Sequence, residues 1–298
     1  AYWRMGEMEG ELARDSSGNG RHAKLEHGFA LHLEGAPGSG FCEAGESNRS
    51  IQFAGGGLVA ASDEVSGDHT VEFWIWSGLP ASARESLGTL YSRGPESLSL
   101  VRDGETKNAR LILAVGERSF EPSSNLNPVL AKTWHHVAIV HRGAKVSVWL
   151  DGKRQSEASV KASDLKALSG ASVVLGGFEG RLDEVAVYDR AISEKEIQRH
   201  IQLSGIREFR EEKRAQARKE AEARAAQMAG PMFDVNYGKA ISAMKPTVRW
   251  SFDSMKGTKV EGSGARGLSG MIEGGVGMAK VSESARNMAA RFNGERVK

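Results

Sequence analysis

The chain has 298 residues, of which 40% are apolar and 26% charged; 40 basic and 38 acidic side chains leave a net charge of +2. That is the balance of a globular protein able to bury a sizeable core, and it calls for no nucleic-acid partner and no anionic membrane surface. No run reaches the roughly 18 apolar residues of a membrane span, and the single cysteine, Cys42, excludes an intrachain disulfide and a cysteine-based metal site.

From Ala1 to about Asp189 the chain alternates short β-branched and aromatic runs with Gly, Ser, Asn and Asp. Strands are predicted at Ser50–Phe53, His69–Trp76, Ala109–Val115, Trp134–Val140, Lys145–Leu150, Ser172–Leu175 and Leu182–Tyr188. Asp151-Gly152 directly after Leu150 marks a hairpin turn. Many short strands without intervening helices predict a mainly β, antiparallel sandwich.

At Ser193 the period changes. Ser193-Glu194-Lys195-Glu196 has the capping-box pattern, and Ile192, Ile197 and Ile201 form an apolar edge that would lie on the sandwich. Gly205 predicts a stop or kink. From Ile206 to about Ala229 the sequence is almost all Ala, Arg, Lys, Glu and Gln, with opposite charges four apart at Arg218/Glu222 and Glu220/Arg224. A helix with no stripe to bury is read as a solvated, charged linker; a coiled-coil or partner-binding helix is the alternative. Gly230-Pro231 ends it, and residues 230–246 read as irregular linker. Val248-Arg249-Trp250-Ser251-Phe252-Asp253 then parallels Ala1-Tyr2-Trp3-Arg4-Met5-Gly6, and Ala290-Arg291-Phe292-Asn293-Gly294 parallels Ile51-Gln52-Phe53-Ala54-Gly55. Residues 247–298 are therefore expected to open a second, truncated repeat in cis, with self-association as one way to complete it.

Tyr2-Trp3-Arg4-Met5 with Asp15-Ser16-Ser17-Gly18-Asn19-Gly20 resembles the opening of laminin G-like jelly rolls of the concanavalin A superfamily, bacterial type. His69–Ile75, Thr133–Ala138, Val148–Lys153 and Gly180–Ser193 are similar to the family's later signatures, in its order. The resemblance covers roughly residues 1–203, with residues 1–192 as the sandwich and 193–229 as the helical segment. It implies two curved antiparallel sheets, usually in secreted or surface multidomain proteins that bind glycans or proteins, often with a structural Ca²⁺. Some relatives in the superfamily hydrolyse glycans. No signal peptide opens the chain, so a targeting signal for an extracytoplasmic location is expected upstream.

Glycan hydrolysis needs two carboxylates held across a cleft. No strand carries the Glu-x-Asp-x-x-Glu type of spacing, and adjacent Asp183 and Glu184 are expected on opposite sides of their strand. No nucleophile elbow, zinc-protease motif or Walker loop appears. The chain is therefore expected to be non-catalytic. The resemblance places a possible calcium shell at Glu7, Asp15, Asn19 and Asp183, a hard-ion donor set; turn and strand-end roles for the same residues are the alternative. Of the adjacent His135 and His136, one is expected inside the sandwich and one on its surface, both structural. Trp3, Trp74, Trp134 and Trp149 are expected in the core. Tyr91, Phe120 and Phe178, with Arg93, Arg102 and Asn125, are expected as an exposed ligand-binding rim. The function expected is a recognition, adhesion or architectural module for a glycan or protein ligand; a dedicated carbohydrate-binding module attached to an enzyme is the alternative, and a glucanase-like hydrolase has the least support.

Overall fold

The structure is a computed structural model that describes residues 1–43, 45–60, 67–106, 108–122, 128–168, 170–229, 235–256, 259–263, 270–271, 276–280 and 288–292. It divides into two compact units, residues 1–215 and 216–298.

The first unit opens with β1 (Tyr2–Trp3), β2 (Leu12–Ala13), β3 (Ala23–Glu26), β4 (Phe29–Glu34), β5 (Arg49–Ala54) and β6 (Gly57–Ala60). Next come β7 (His69–Ser77), β8 (Ser86–Arg93), β9 (Glu96–Arg102), β10 (Ala109–Val115), β11 (Arg118–Phe120), β12 (Trp134–Arg142), β13 (Lys145–Leu150) and β14 (Lys153–Ser159). A short helix α1 (Ala162–Leu168) precedes β15 (Val173–Gly176) and β16 (Glu179–Tyr188); α2 (Glu194–Leu203) follows, and then α3 (Ile206–Ala229), of which residues 206–215 belong to the first unit. The strands form two eight-stranded antiparallel sheets. The first runs β14-β13-β12-β7-β16-β5-β4, with β1 also paired to β16; the second runs β11-β10-β9-β8-β15-β6-β3-β2. Strands far apart in sequence are neighbours in both, as the jelly-roll expectation requires.

Alternation builds the core. Val71, Phe73 and Ile75 of β7, Val137 and Ile139 of β12 and Leu182 of β16 point inward to meet Leu98, Leu100, Leu111 and Leu113 of the second sheet. A sheet with one wet face would carry polar residues at the alternate positions. β7 and β12 instead bury nearly every residue, because helices cover the outer face of the first sheet. Ile192, Ile197 and Ile201 pack on Ala138, Val140 and Trp149, and Ile206 packs with Ala36, Phe41, Trp74 and Trp134. Hence His135 and His136 are both buried, which corrects the expectation that one of them lies at the surface. His135 Nδ1 pairs with Asp151 Oδ2 at 2.7 Å and its Nε2 accepts the Leu130 N–H, so its role is structural. The four tryptophans expected in the core are buried, Trp149 the most accessible at 9%.

Local signals place α2. Asp151 and Gly152 both take positive φ in the two-residue turn between β13 and β14, the primed geometry that matches strand twist. The turn presents the Gly152 carbonyl to the Gln198 side chain of α2. Ser193 caps the helix: its Oγ accepts the Glu196 N–H while Glu196 reaches back to the Ser193 N–H. Ser193→Ala is expected to cost about 1 kcal/mol, read as a fall in the denaturation midpoint at unchanged slope. At Gly205 the chain turns with φ +69° and a Cβ would lie 2.6 Å from Ser39 Oγ, so α2 and α3 are separate helices.

In the second unit the stretch expected as irregular linker holds α4 (Val235–Ala243). Gly230-Pro231 marked the end of the preceding helix, but Ala240 and Ala243 further along favour helix. β17 (Arg249–Lys256), β18 (Lys259–Ser263) and β19 (Gly270–Met271) form one antiparallel sheet and β20 (Val276–Lys280) pairs with β21 (Met288–Phe292). A second copy of the sandwich is not shown by these strands.

Candidate functional site

Between the outer face of the first sheet and α2 lies a cavity of about 550 Å³, within the usual range for small-molecule sites. β7 supplies Glu72 and Trp74, β12 His136, β16 Glu184 and Tyr188, and α2 His200. These strand residues share the outer face because their neighbours Val71, Phe73, Val137 and Val185 point into the core. Tyr2, Phe41 and Leu203 complete the apolar wall, and Asn19 and Arg21 stand at its polar side.

Glu72 is the hub. One carboxylate oxygen accepts the Tyr188 hydroxyl at 2.6 Å, His136 Nε2 lies 3.3 Å from the other, and His200 Nδ1 lies 3.0 Å from the first. Burial by itself would raise the Glu72 carboxyl, but the hydrogen bonds from His136 and His200 outweigh it and hold the group well below the usual carboxylate range. The same bond raises the His200 imidazole against its desolvation. Burial, then the Glu72 charge, raise the Tyr188 phenol.

Glu184 differs. Burial pushes its carboxyl up to about 8; it accepts from the Tyr2 hydroxyl, and Arg4 Nε lies 3.6 Å from its other oxygen. A bulge explains its position. The β16–β7 register slips between Asp183 and Ala186, and Glu184 takes φ +49°, so one extra residue fits between the inward-facing Leu182 and Val185. Asp183 and Glu184 therefore both leave the core on the outer side, correcting the expectation that they face opposite ways. Two buried polar atoms of the lining, His136 Nδ1 and Glu184 Oε1, have no hydrogen-bond partner among the described residues.

The expected calcium donors are not gathered at one point. Asp15 is spent on its turn, accepting the N–H groups of Tyr2, Ser17 and Arg21. Glu7 accepts the Arg14 N–H, and Asn19 is exposed and bonded to Ser17. Asp183 is fully buried, and one of its oxygens takes the Ala36 N–H and the Asn48 amide, clamping the loop before β5. Burial pushes its carboxyl up to about 8. Among the described residues no group of three or more His, Cys, Asp or Glu side chains could hold a metal ion.

The expected rim is largely interior. Tyr91 pairs across to Leu98 and Leu175 in the inward row of β8, and Arg93 shares that row, so each is only 1% exposed. Phe178 is bridged to Gly88 and is also 1% exposed. Phe120 is half-buried against the core because its register partner, Leu113, faces inward. Arg102 is half-buried at the end of β9, and Asn125 lies outside the described residues. Of the expected site residues only Asn19 lines the cavity. Glu72, His136, Glu184, Tyr188 and His200 were missed. The available signal was Glu72 itself, the one acid in the otherwise apolar run from Val71 to Trp76.

Residues 49–198 match the family described as the concanavalin A-like lectin/glucanases superfamily (Laminin_G_3). No curated protein matches the chain in sequence. Among solved structures, domain 4 of AbnA, an extracellular GH43 arabinanase from Geobacillus stearothermophilus in complex with arabinotriose, gives a TM-score of 0.49 at 16% identity, covering 68% of this chain and 97% of that one. Trypanosoma rangeli sialidase gives 0.49 at 14% identity, covering 66% of this chain and 32% of that one. The botulinum neurotoxin serotype D binding domain gives 0.46 at 11%, covering 67% and 50%.

Proposed function

Because the chain belongs to the concanavalin A-like lectin/glucanases superfamily, we propose that its first unit is a non-catalytic recognition module that binds a glycan between the outer sheet face and α2. One observation carries this reading. The cavity joins aromatic walls from Tyr2, Trp74 and Tyr188 to the polar side chains of Asn19, Arg21, Glu184 and His200. A hydroxylated ring can supply donors and acceptors to them while its apolar face meets the aromatic wall. A protein side chain is the competing occupant. In this reading the parent protein is extracytoplasmic and multidomain, the charged helix is a spacer, and residues 247–298 open a further repeat.

Glycoside hydrolysis is the second reading, favoured by one fact: an ionised Glu72 and a Glu184 carboxyl at about 8 line the same cavity, and such divergence is how acid and base roles are divided. Against it, Glu72 is already engaged by Tyr188, His136 and His200, which take three of a carboxylate's roughly four acceptor sites.

The test is a glycan array of neutral and acidic oligosaccharides, read for binding and, by product analysis, for cleavage. Leu203 is 55% exposed at the cavity wall, so Leu203→Arg should block the cavity with a stability change within about 0.5 kcal/mol. Capture of at least one glycan, weakened tenfold or more by Leu203→Arg and without cleavage, is the expected result. Binding untouched by Leu203→Arg would move the site elsewhere. Silence on the array would remove the glycan reading, and cleavage would replace it with the hydrolase.

A further inference from the structure

We propose that His69 is the acid-sensitive pin of a buried clasp joining the two sheets, and that its protonation opens the end of the sandwich where β7, β8, β9 and β12 meet. The four side chains of the clasp are His69 from β7, Arg93 from β8, Glu96 from β9 and His141 from β12, none more than 2% exposed. His69 and His141 are register partners in the first sheet, and Arg93 and Glu96 are partners in the second. The clasp therefore ties one sheet to the other.

Its hydrogen bonds define the charge state of His69 by geometry. Nδ1 lies 2.9 Å from the Gly67 carbonyl, which can only accept, so Nδ1 carries the proton. Nε2 lies 3.1 Å from Arg93 Nη1, which can only donate, so Nε2 presents its lone pair. Both nitrogens are used and the ring is neutral. The His69 ring stacks on His141 at 4.1 Å, with the planes 9° apart, and His141 Nε2 lies 2.9 Å from a Glu96 oxygen. The row reads Arg93 cation, neutral His69, His141, Glu96 anion. A second proton on His69 would meet the Arg93 N–H head-on and add an uncompensated charge to a dry interior. The titratable and charged groups around His69 are Asp68 on its own segment, Tyr91 and Arg93 from β8, Glu96 from β9 and His141 from β12. Of these only Asp68, outside the sandwich and engaged by the Gly143 N–H, favours the protonated ring without already being committed within the clasp.

The pH window follows. Burial, then the neighbouring His141 and Arg93, lower the His69 imidazole to about 3 against the Gly67 hydrogen bond and Asp68. Above the ordinary value near 6.5 the ring is neutral whether the clasp is closed or open, and pH has no leverage. Below 6.5 the open form takes up a proton that the closed form refuses. The open population therefore grows about tenfold per pH unit from 6.5 down toward 3.

Hydrogen exchange of the 298-residue chain, corrected for intrinsic rates, reads this directly. Between pH 6.5 and 4.5, protection of the β8–β9 hairpin is expected to fall about a hundredfold while the β13–β14 hairpin keeps its own. His69→Gln, whose Oε1 can accept from Arg93 but cannot titrate, should keep the pH 7 protection and lose the pH response. Constant protection of the β8–β9 hairpin down to pH 4.5, an equal fall in both hairpins, or an unchanged slope in His69→Gln would overturn the proposal. Should His69→Gln fail to fold, the His69 ring-proton shift in the unsubstituted chain decides: neutral at pH 4.5 supports the pin, and titration near 6.5 refutes it.

Discussion

Glu72→Ala is expected to remove about 3–5 kcal/mol of stability and to loosen α2 from the outer face of the first sheet. The side chain is 8% exposed and serves Tyr188, His136 and His200, from two further strands of the assembly and from the helix. Removing it takes the shared acceptor from three donors, of which His136 is buried, so the cost includes its desolvation as well as the lost bonds. Glu72→Gln keeps one acceptor and should recover part of the loss. Because the carboxyl is held below its ordinary range, its contribution is present in full above about pH 4.5 and is lost as the pH falls. The His200 contribution has the opposite sign: its imidazole is raised, so it is present below about pH 6.5 and lost as the pH rises through the folded value. Guanidinium denaturation at pH 7, with exchange of the α2 amides, measures both. A loss below 1 kcal/mol with α2 still protected would show that Ile197 and Ile201 alone hold the helix.

Phe73→Ala should be of the same order, about 3–5 kcal/mol, with the outer-face cavity left intact. Phe73 is fully buried on β7, between β12 and β16, with the second sheet facing it. A void there has no loop or terminus that can collapse into it, which is what puts a truncation at the costly end of the range. For a unit of this size the melting temperature should fall by roughly 10 °C. Glycan binding measured well below that temperature should be unchanged, since Phe73 faces away from Glu72 and Trp74. The pair of variants thus separates the two faces of one strand: Phe73→Ala reports on the core, and Glu72→Ala on the helix dock and the cavity together.

The strands, the two-residue turn at Asp151-Gly152, the cap at Ser193 and the apolar edge of α2 were legible in the sequence because each depends on residues within a few positions of one another. Period 2, period 3.6, a turn dipeptide and a capping box are local codes. Even the packing of Ile197 and Ile201 on the sandwich follows from a local stripe that needs a cover. The ligand rim was misjudged for a related reason. Tyr91 and Phe178 are close to turns in sequence, but burial depends on which face a residue takes and on what lies opposite, and both side chains meet the other sheet.

The cavity residues illustrate the harder case. Glu72, His136, Glu184, Tyr188 and His200 come from β7, β12, β16 and α2, and no spacing rule connects positions up to 128 residues apart in the chain. Strict alternation would have sent Glu184 to the core; a one-residue bulge with φ +49° turned it out toward Tyr2. A bulge depends on the register of two strands, which the sequence of either strand does not contain.

The sequence by itself thus determined seven of the strands, α2 and α3, the mainly β class, the family resemblance and the docking edge of α2, since each is a pattern of neighbours along the chain. Only the tertiary structure decided which polar residues meet, at the Glu72 hub and at the His69 clasp, and which carboxyls lose water. The physical reason is that charge, desolvation and hydrogen-bond partnership depend on distance through space, and a sandwich of crossed-over strands brings together residues that the chain keeps far apart.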